Sequence, residues 1–348
     1  MDTRDALKCM TRYCESLRFL NLVSALSLSL LLLCPSKSVA SEDLVFSSQP
    51  PEMEISSCCE QIPVHFFVTG EYLYWQANVS DLDLSFGSSS IVEGKNNGIS
   101  FTDSTEYDID PTFDWNSGYR IGCGVQLPYS NWSLSAFWTQ FKDKGHHSIK
   151  ASDDIVNKGS CNVSLEQIDG IIAHAYEWPS VVLKPFIGIR AAKINNSVNS
   201  QVTTNITILP STIATGVMNF DDYQHYEGIG PILGLDVDWM VANGIGVYGE
   251  GAFGVLYGNY RVKFNDVNIY SAPLSSRLSS LINQHLQRFN ANVDLALGVF
   301  WRGCIDDNFA INFNLGYEFH EYYNLSNLGS DKGDLSFNGV VVSLGIAF

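Results

Sequence analysis

The sequence predicts an all-β fold, a transmembrane antiparallel β-barrel of about ten strands, with twelve as the alternative. Three observations predict it. The chain opens with an export signal, later segments alternate apolar and polar residues with period two, and after residue 41 no apolar run approaches the ~20 residues of a membrane helix.

The export signal comes first. Residues 1–18 carry Arg4, Lys8, Arg12 and Arg18, residues 19–34 are almost unbroken apolar, and Ser38-Val39-Ala40 gives a small-x-small cleavage pattern before Ser41. Basic, apolar, small is the order of a secretory signal peptide. The expected organisation is a signal peptide over 1–40, a periplasmic N-terminal segment over 41–63 and a barrel over 64–348. A net charge of -17 argues against nucleic acid, whose phosphates call for a basic surface.

The clearest alternations define five strands. Over 115–127, Trp115, Tyr119, Ile121, Cys123, Val125 and Leu127 share one face, with Ser117 as the exception, opposite Asn116, Gly118, Arg120, Gly122, Gly124 and Gln126. Over 229–239, Ile229, Leu233, Leu235, Val237 and Trp239 oppose Gly230, Gly234, Asp236 and Asp238. Over 291–301, Val293, Leu295, Leu297, Val299 and Trp301 oppose Asn292, Asp294 and Gly298. Over 309–319, Phe313, Leu315, Tyr317 and Phe319 oppose Asn312, Asn314, Gly316 and Glu318, and the chain ends on Val340, Val342, Leu344, Ile346 and Phe348 against glycine, serine and alanine. Less regular strands at 64–78, 132–142, 163–177, 181–194 and 244–264 bring the number to ten.

Alternation does not say which face is inside: a soluble barrel turns its apolar face inward and a membrane barrel reverses this. Three features choose the membrane barrel. The polar face is mostly Gly, Ala, Asn and Ser, small residues that suit a narrow interior. Short turns at 128–131, 178–180, 240–243 and 303–308 alternate with long polar connections near 79–110, 143–162, 195–227, 265–288 and 321–335, as periplasmic turns alternate with outer loops. Trp132, Trp178, Trp239 and Trp301 then fall at periplasmic strand ends beside Phe348, and Trp75, Trp115 and Trp138 at outer ends, as an aromatic girdle at each interface.

The chain carries, in order, Tyr72-Leu73-Tyr74-Trp75, Gly118-Tyr119-Arg120-Ile121-Gly122, Asn131-Trp132, Pro185-Phe186-Ile187-Gly188-Ile189-Arg190, Leu256-Tyr257-Gly258 and Gly316-Tyr317-Glu318-Phe319-His320. In that order these motifs resemble the pore-forming outer-membrane proteins related to the chlamydial major outer-membrane protein, a family also found in legionellae. The resemblance spans roughly 64–348. It implies a porin-like channel for small hydrophilic solutes or ions, in the bacterial outer membrane, with no catalytic residues and no cofactor. The alternative is a structural or adhesive barrel that displays surface loops and is disulfide-linked to the envelope. The terminal Phe348 looks like the assembly signal such barrels carry. Expected partners are outer-membrane lipid and lipopolysaccharide, the barrel-assembly machinery, disulfide-linked envelope proteins and further copies of the chain.

The inward faces are expected to carry Arg120, Lys184, Arg190, Asp236, Asp238, Asp294, Glu318 and His320. These charges either bias ion passage or pair across a closed interior. Asp294 is expected to tolerate loss of its charge, and Leu295, facing lipid, to reject one. The acidic loop 81–110 reads as solvated rather than as a calcium site, and the His146-His147 pair as a loop pair rather than a metal site. Glu318 and His320 near the outer rim are where a barrel hydrolase would keep its site, but no serine or aspartate constellation accompanies them. The cysteines beyond residue 41 are Cys58, Cys59, Cys123, Cys161 and Cys304, an odd number in an oxidising compartment. Cys58, Cys59 and Cys304 all belong to the periplasmic side and are the candidate cross-link cysteines. Disulfide linkage is also what the family resemblance implies.

Overall fold

The computed structural model describes residues 65–80, 88–94, 98–105, 112–127, 130–152, 155–208, 212–242, 244–270, 277–306, 309–326 and 333–348. The expected signal peptide and residues 41–63 lie outside them, as do the side chains of the acidic loop 81–110.

The strands in chain order are β1 (His65–Val79), β2 (Ser88–Gly94), β3 (Gly98–Thr105), β4 (Asn116–Gln126), β5 (Trp132–Ser152), β6 (Ile155–His174), β7 (Tyr176–Glu177), β8 (Val181–Ile208), β9 (Thr212–Ala242), β10 (Ile245–Tyr270), β11 (Arg277–Asp306), β12 (Phe309–Ser326) and β13 (Gly333–Ala347). Ten of them close a barrel in the order β1-β4-β5-β6-β8-β9-β10-β11-β12-β13, each antiparallel to the next, with β13 returning to β1. β7 adds two residues of pairing beside β8, and β2 pairs only with β3 in a separate hairpin. The segment 79–110, expected as a long polar connection, thus holds the β2–β3 hairpin, which contributes no barrel strand.

Closure follows from the solvent. Hydrocarbon offers backbone N–H and C=O groups no partner, so a spanning sheet keeps no free edge in the membrane. The first and last strands meet through reciprocal backbone bonds, Phe66 N to Phe348 O at 2.8 Å and Phe348 N to Phe66 O at 2.9 Å. Those ends share a rim with the short turns. One turn depends on Gly244 at φ 75°, where a Cβ would stand 2.4 Å from the Arg302 carbonyl oxygen.

The other rim is uneven. β1, β4 and β13 have 15, 11 and 15 residues, whereas β8, β9, β10 and β11 have 28, 31, 26 and 30. About 9–11 residues cross a bilayer, so β5 to β11 rise well above it as a continuous wall. Much of 143–162, 195–227 and 265–288, expected as polar loops, is the upper part of these strands. Their polarity comes from a change in what each face meets. Along β1 the outward residues run Phe66, Val68, Tyr72, Tyr74, then Gln76 and Asn78; the inward ones run Thr69, Glu71, then Leu73, Trp75, Ala77 and Val79. Along β8, outward Ile187 and Ile189 give way to Lys193, Asn195, Ser197 and Asn199, while inward Arg190 is followed by Ala192, Ile194, Asn196 and Val198. The lower half is a membrane barrel, apolar outside and polar within. The upper half is built like a soluble barrel, with a core of Leu73, Trp75, Phe141, Val163, Ile194, Tyr226, Leu256, Tyr260, Tyr322 and Phe337 among others.

Two substitutions check the inversion. Leu295→Arg, on the lipid face, is expected to destabilise the barrel by about 2–4 kcal/mol at the bilayer midplane. Asn199→Arg, outward on the upper wall, should change stability by less than about 0.5 kcal/mol. Urea titration of both variants in lipid vesicles decides; equal effects would mean that the lipid band is misplaced.

Candidate functional site

The lower interior is filled in layers, and each strand contributes its inward phase. In register, Glu71 on β1 lies opposite Arg120 on β4, and Asp294 on β11 opposite His320 on β12. Arg120 Nη1 donates to Glu71 Oε2 at 2.7 Å, and the same guanidinium holds Glu318 through two bonds of 3.1 and 3.0 Å. His320 lies between two carboxylates, Nε2 3.0 Å from Glu318 Oε2 and Nδ1 2.9 Å from Asp294 Oδ1. Asp294 Oδ2 is 2.6 Å from Arg190 Nη1, and Arg190 donates to both oxygens of Asp169 at 2.8 and 3.0 Å. Gln167 donates to Asp169 at 2.7 Å and accepts from the Tyr322 hydroxyl. One lattice of alternating charge thus crosses the barrel from β1 to β6, where isolated charges would be expensive to bury.

A second group lies nearer the periplasmic rim. Lys184 Nζ and Arg302 Nη2 both donate to Asp238 Oδ2, at 2.8 and 2.7 Å, and Asp236 stands beside them on the same face of β9. The Arg302 guanidinium also lies over the Phe300 ring, 4.3 Å from its centroid. A cavity of about 640 Å³ runs from rim residues such as Gln126 and Ala347 up to the lattice.

Above the lattice the interior is apolar. Trp75, Phe141, Tyr322 and Phe337 are at most 1% exposed. Ring centroids are 5.6 Å apart for Trp75–Phe141 and for Phe141–Phe337, and the Trp75 ring lies 4.7 Å from that of His320. Tyr226 and Tyr260 complete the layer, their hydroxyls donating to the carbonyls of Leu256 and Leu325 at 3.2 and 3.1 Å.

All eight charged residues singled out from the sequence line the cavity, and the geometry gathers them into these two groups. Alternation left out Glu71, Asp169, Glu250 and Arg302, which line it too. Each is in inward phase; the available signal was the two-residue step from Thr69 to Glu71, from Gln167 to Asp169, from Tyr248 to Glu250 and from Phe300 to Arg302. His320 has both nitrogens engaged by carboxylates, so it braces the wall rather than standing ready as a base. Among the described residues, no group of three His, Cys, Asp or Glu is placed to hold a metal ion.

Outward aromatics form two belts. Trp132, Trp178, Trp239, Trp301 and Phe348 are exposed at the periplasmic rim, and Trp115 and Trp138 at the outer level. Trp75 is a correction: it points inward and is buried, because it shares the inward phase of Thr69, Glu71 and Leu73 at the level where the interior becomes apolar. His146 is outward on β5. Cys123 is a free thiol on the lipid face, and Cys161 a free thiol in the upper core, where burial pushes it up to about 12. Cys304 is exposed near the periplasmic end of β11; Cys58 and Cys59 lie outside the described residues.

Closed, ten-stranded, aromatic-belted, apolar towards lipid and charged within, this is an outer-membrane β-barrel. Residues 59–348 match the family model described as the Legionella pneumophila major outer membrane protein precursor, and the chain belongs to that family. No curated protein matches it. Among solved structures it is similar to the outer-membrane protease OmpT of Escherichia coli, at 8% identity over 82% of this chain and 97% of that one, with a TM-score of 0.39. It is also similar to Ail, the attachment invasion locus protein of Yersinia pestis, at 11% identity over 82% and 100%, TM-score 0.22. A third is the Pseudomonas putida toluene transporter TodX, at 8% identity over 85% and 93%, TM-score 0.25.

Asp294 does not fit the tolerance expected of it, because its carboxylate is held by both Arg190 and His320. Asp294→Asn leaves two buried cations short of a counter-charge, and the barrel is expected to lose about 3–5 kcal/mol. Denaturant titration checks this, and a loss below about 1 kcal/mol would show that the lattice contributes little.

Proposed function

We propose that this protein is a closed structural barrel of the outer membrane that presents its raised wall at the cell surface. The observation that carries this reading is the aromatic layer. Trp75, Phe141, Tyr322 and Phe337 fill the cross-section above the charged lattice, and ten strands enclose too narrow a lumen to leave a second path beside them. A wall of 26–31-residue strands is far longer than spanning demands, which suits display rather than passage.

A second reading, the porin-like channel, is favoured by the charged cavity of about 640 Å³ that extends inward from the periplasmic rim. In that reading the aromatic layer is a gate and has to move. Liposome swelling with small sugars, together with planar-bilayer recording, separates the two. The closed barrel is expected to give no stable conductance, and Trp75→Ala to introduce a leak. Steady conductance from the unmodified protein would reject the closed reading in favour of the pore.

Cys304, at the periplasmic end of β11, is already engaged in a disulfide, so a covalent tie to the envelope falls to the cysteines that precede β1. Non-reducing gels are then expected to show a higher-mass or altered-mobility species that reductant removes and that replacement of Cys58 and Cys59 by serine abolishes. Unchanged migration with and without reductant would reject the tie.

A further inference from the structure

The outer face of the raised wall carries two rows of side chains that the closed-barrel reading does not use. In register across β5, β6, β8, β9 and β10 they are Lys142–Ser164–Asn195–His225–Arg261 and Lys144–Asn162–Ser197–Tyr223–Lys263. Every member points away from the upper core. Each row begins and ends on a cation and is filled with amides, hydroxyls and rings. Lys142, Lys144, Arg261 and Lys263 are exposed and have no acidic partner among the described residues, in a chain whose net charge is -17. The groups between them are tied to one another: Asn195 Nδ2 donates to Ser164 Oγ at 3.0 Å, the Tyr223 hydroxyl to Asn195 Oδ1 at 3.0 Å, and Asn162 Nδ2 to Ser197 Oγ at 3.4 Å. A shallow cavity of about 490 Å³ opens over Lys142, Lys144, Asn162, Asn195, Ser197 and Tyr223.

Height on the wall selects the occupant. Lys142 lies four residues beyond the girdle residue Trp138 on β5, and Arg261 four beyond Tyr257 on β10. Four residues advance about 14 Å along a strand, or about 10 Å along the membrane normal at the tilt of such barrels. The rows extend about 19 Å around the wall and, lying perpendicular to the tilted strands, climb about 12–14 Å along the membrane normal, so they rise obliquely through the layer just above the lipid band. That level holds lipid headgroups, and cations near a membrane surface attract anionic ones. Paired amides and hydroxyls beside an exposed tyrosine ring suit a polyhydroxylated group between the charges.

We infer that these two rows bind the phosphorylated saccharide headgroup of lipopolysaccharide in the surrounding outer leaflet. The terminal cations take the phosphates, and the Asn, Ser and Tyr side chains between them take sugar hydroxyls. The inference rests on the placement of the barrel in the outer membrane, not on whether its lumen conducts, so it can fail without the closed-barrel reading failing.

The test uses the whole barrel refolded in detergent, titrated with phosphorylated lipopolysaccharide, with the same material after enzymatic dephosphorylation, and with a soluble sulfated oligosaccharide. The wild type is expected to bind the phosphorylated form most tightly, and more weakly as salt rises. K142E/K144E/R261E/K263E is expected to lose about tenfold or more in affinity for it. Heat-modifiable gel migration reports whether the variant folds. If it does not, the half variants K142E/K144E and R261E/K263E, all at exposed positions, carry the test with about threefold losses each. Equal affinity for the phosphorylated and dephosphorylated forms would overturn the inference, as would equal affinity of wild type and variants. Tighter binding of the sulfated oligosaccharide would also overturn it, and would assign the surface to a soluble glycan.

Discussion

The need to pair every backbone amide inside hydrocarbon governs this molecule. It forces β6 onto β8 and β13 onto β1, and once ten strands have closed, the diameter is no longer free. A lumen of that width is crowded, so much of what points inward packs or pairs, although a cavity of about 640 Å³ remains between the periplasmic rim and the lattice. Arg120, Arg190 and His320 reach across to carboxylates on other strands because, in so narrow a tube, the opposite wall is within a side chain's length. The lattice is thus a consequence of closure, and it in turn braces strands that are far apart in sequence: Arg120 and Glu318 are 198 residues apart.

The second constraint is the height of the membrane. Strand phase is continuous from rim to rim, so a residue cannot change face, but its surroundings change where lipid ends. Below that level the outward positions are Ile187, Ile189, Leu233 and Leu295; above it they are Lys193, Asn195 and Tyr223. Inward positions do the reverse, from Glu71 to Trp75 and from His320 to Tyr322. The two halves cooperate. Apolar packing above excludes water from the top of the charged lattice, strengthening its ion pairs, and the lattice gives the lowest ring of the packing, Trp75, a partner in His320.

This inversion also explains what the sequence disclosed and what it hid. Within lipid each strand obeys one rule, so β4, β11, β12 and the end of β13 were legible almost to the residue, and with them the inward phase of Arg120, Asp294, Glu318 and His320. Where the rule reverses, a run such as 195–201, Asn-Asn-Ser-Val-Asn-Ser-Gln, looks like a polar loop, because its outward face is as hydrophilic as a loop and only Val198 marks the core. The same reversal misled the reading of Trp75: a tryptophan near the outer interface satisfies the girdle pattern equally well from either face. Pairings across the lumen were not legible at all, since alternation fixes the facing of Arg190 but not which carboxylate, 21 residues away on β6 or far along on β11, will stand opposite it.

Uneven strand length has a physical consequence for the surface. β4, β1 and β13 stop near the lipid boundary while β8 to β11 continue, so the upper sheet is a curved wall rather than a closed ring. Such a wall has one face packed on the apolar core and the other fully solvated, and it needs a polar outer face along its whole height. Hydration alone would be served by the Glu and Thr that dominate most solvated strands. Instead, the rows from β5 to β10 carry Asn, Ser and Tyr between paired cations, although the chain as a whole is acidic. Composition at those positions complements the phosphorylated headgroups inferred above, which belong to the layer in which the base of the wall stands.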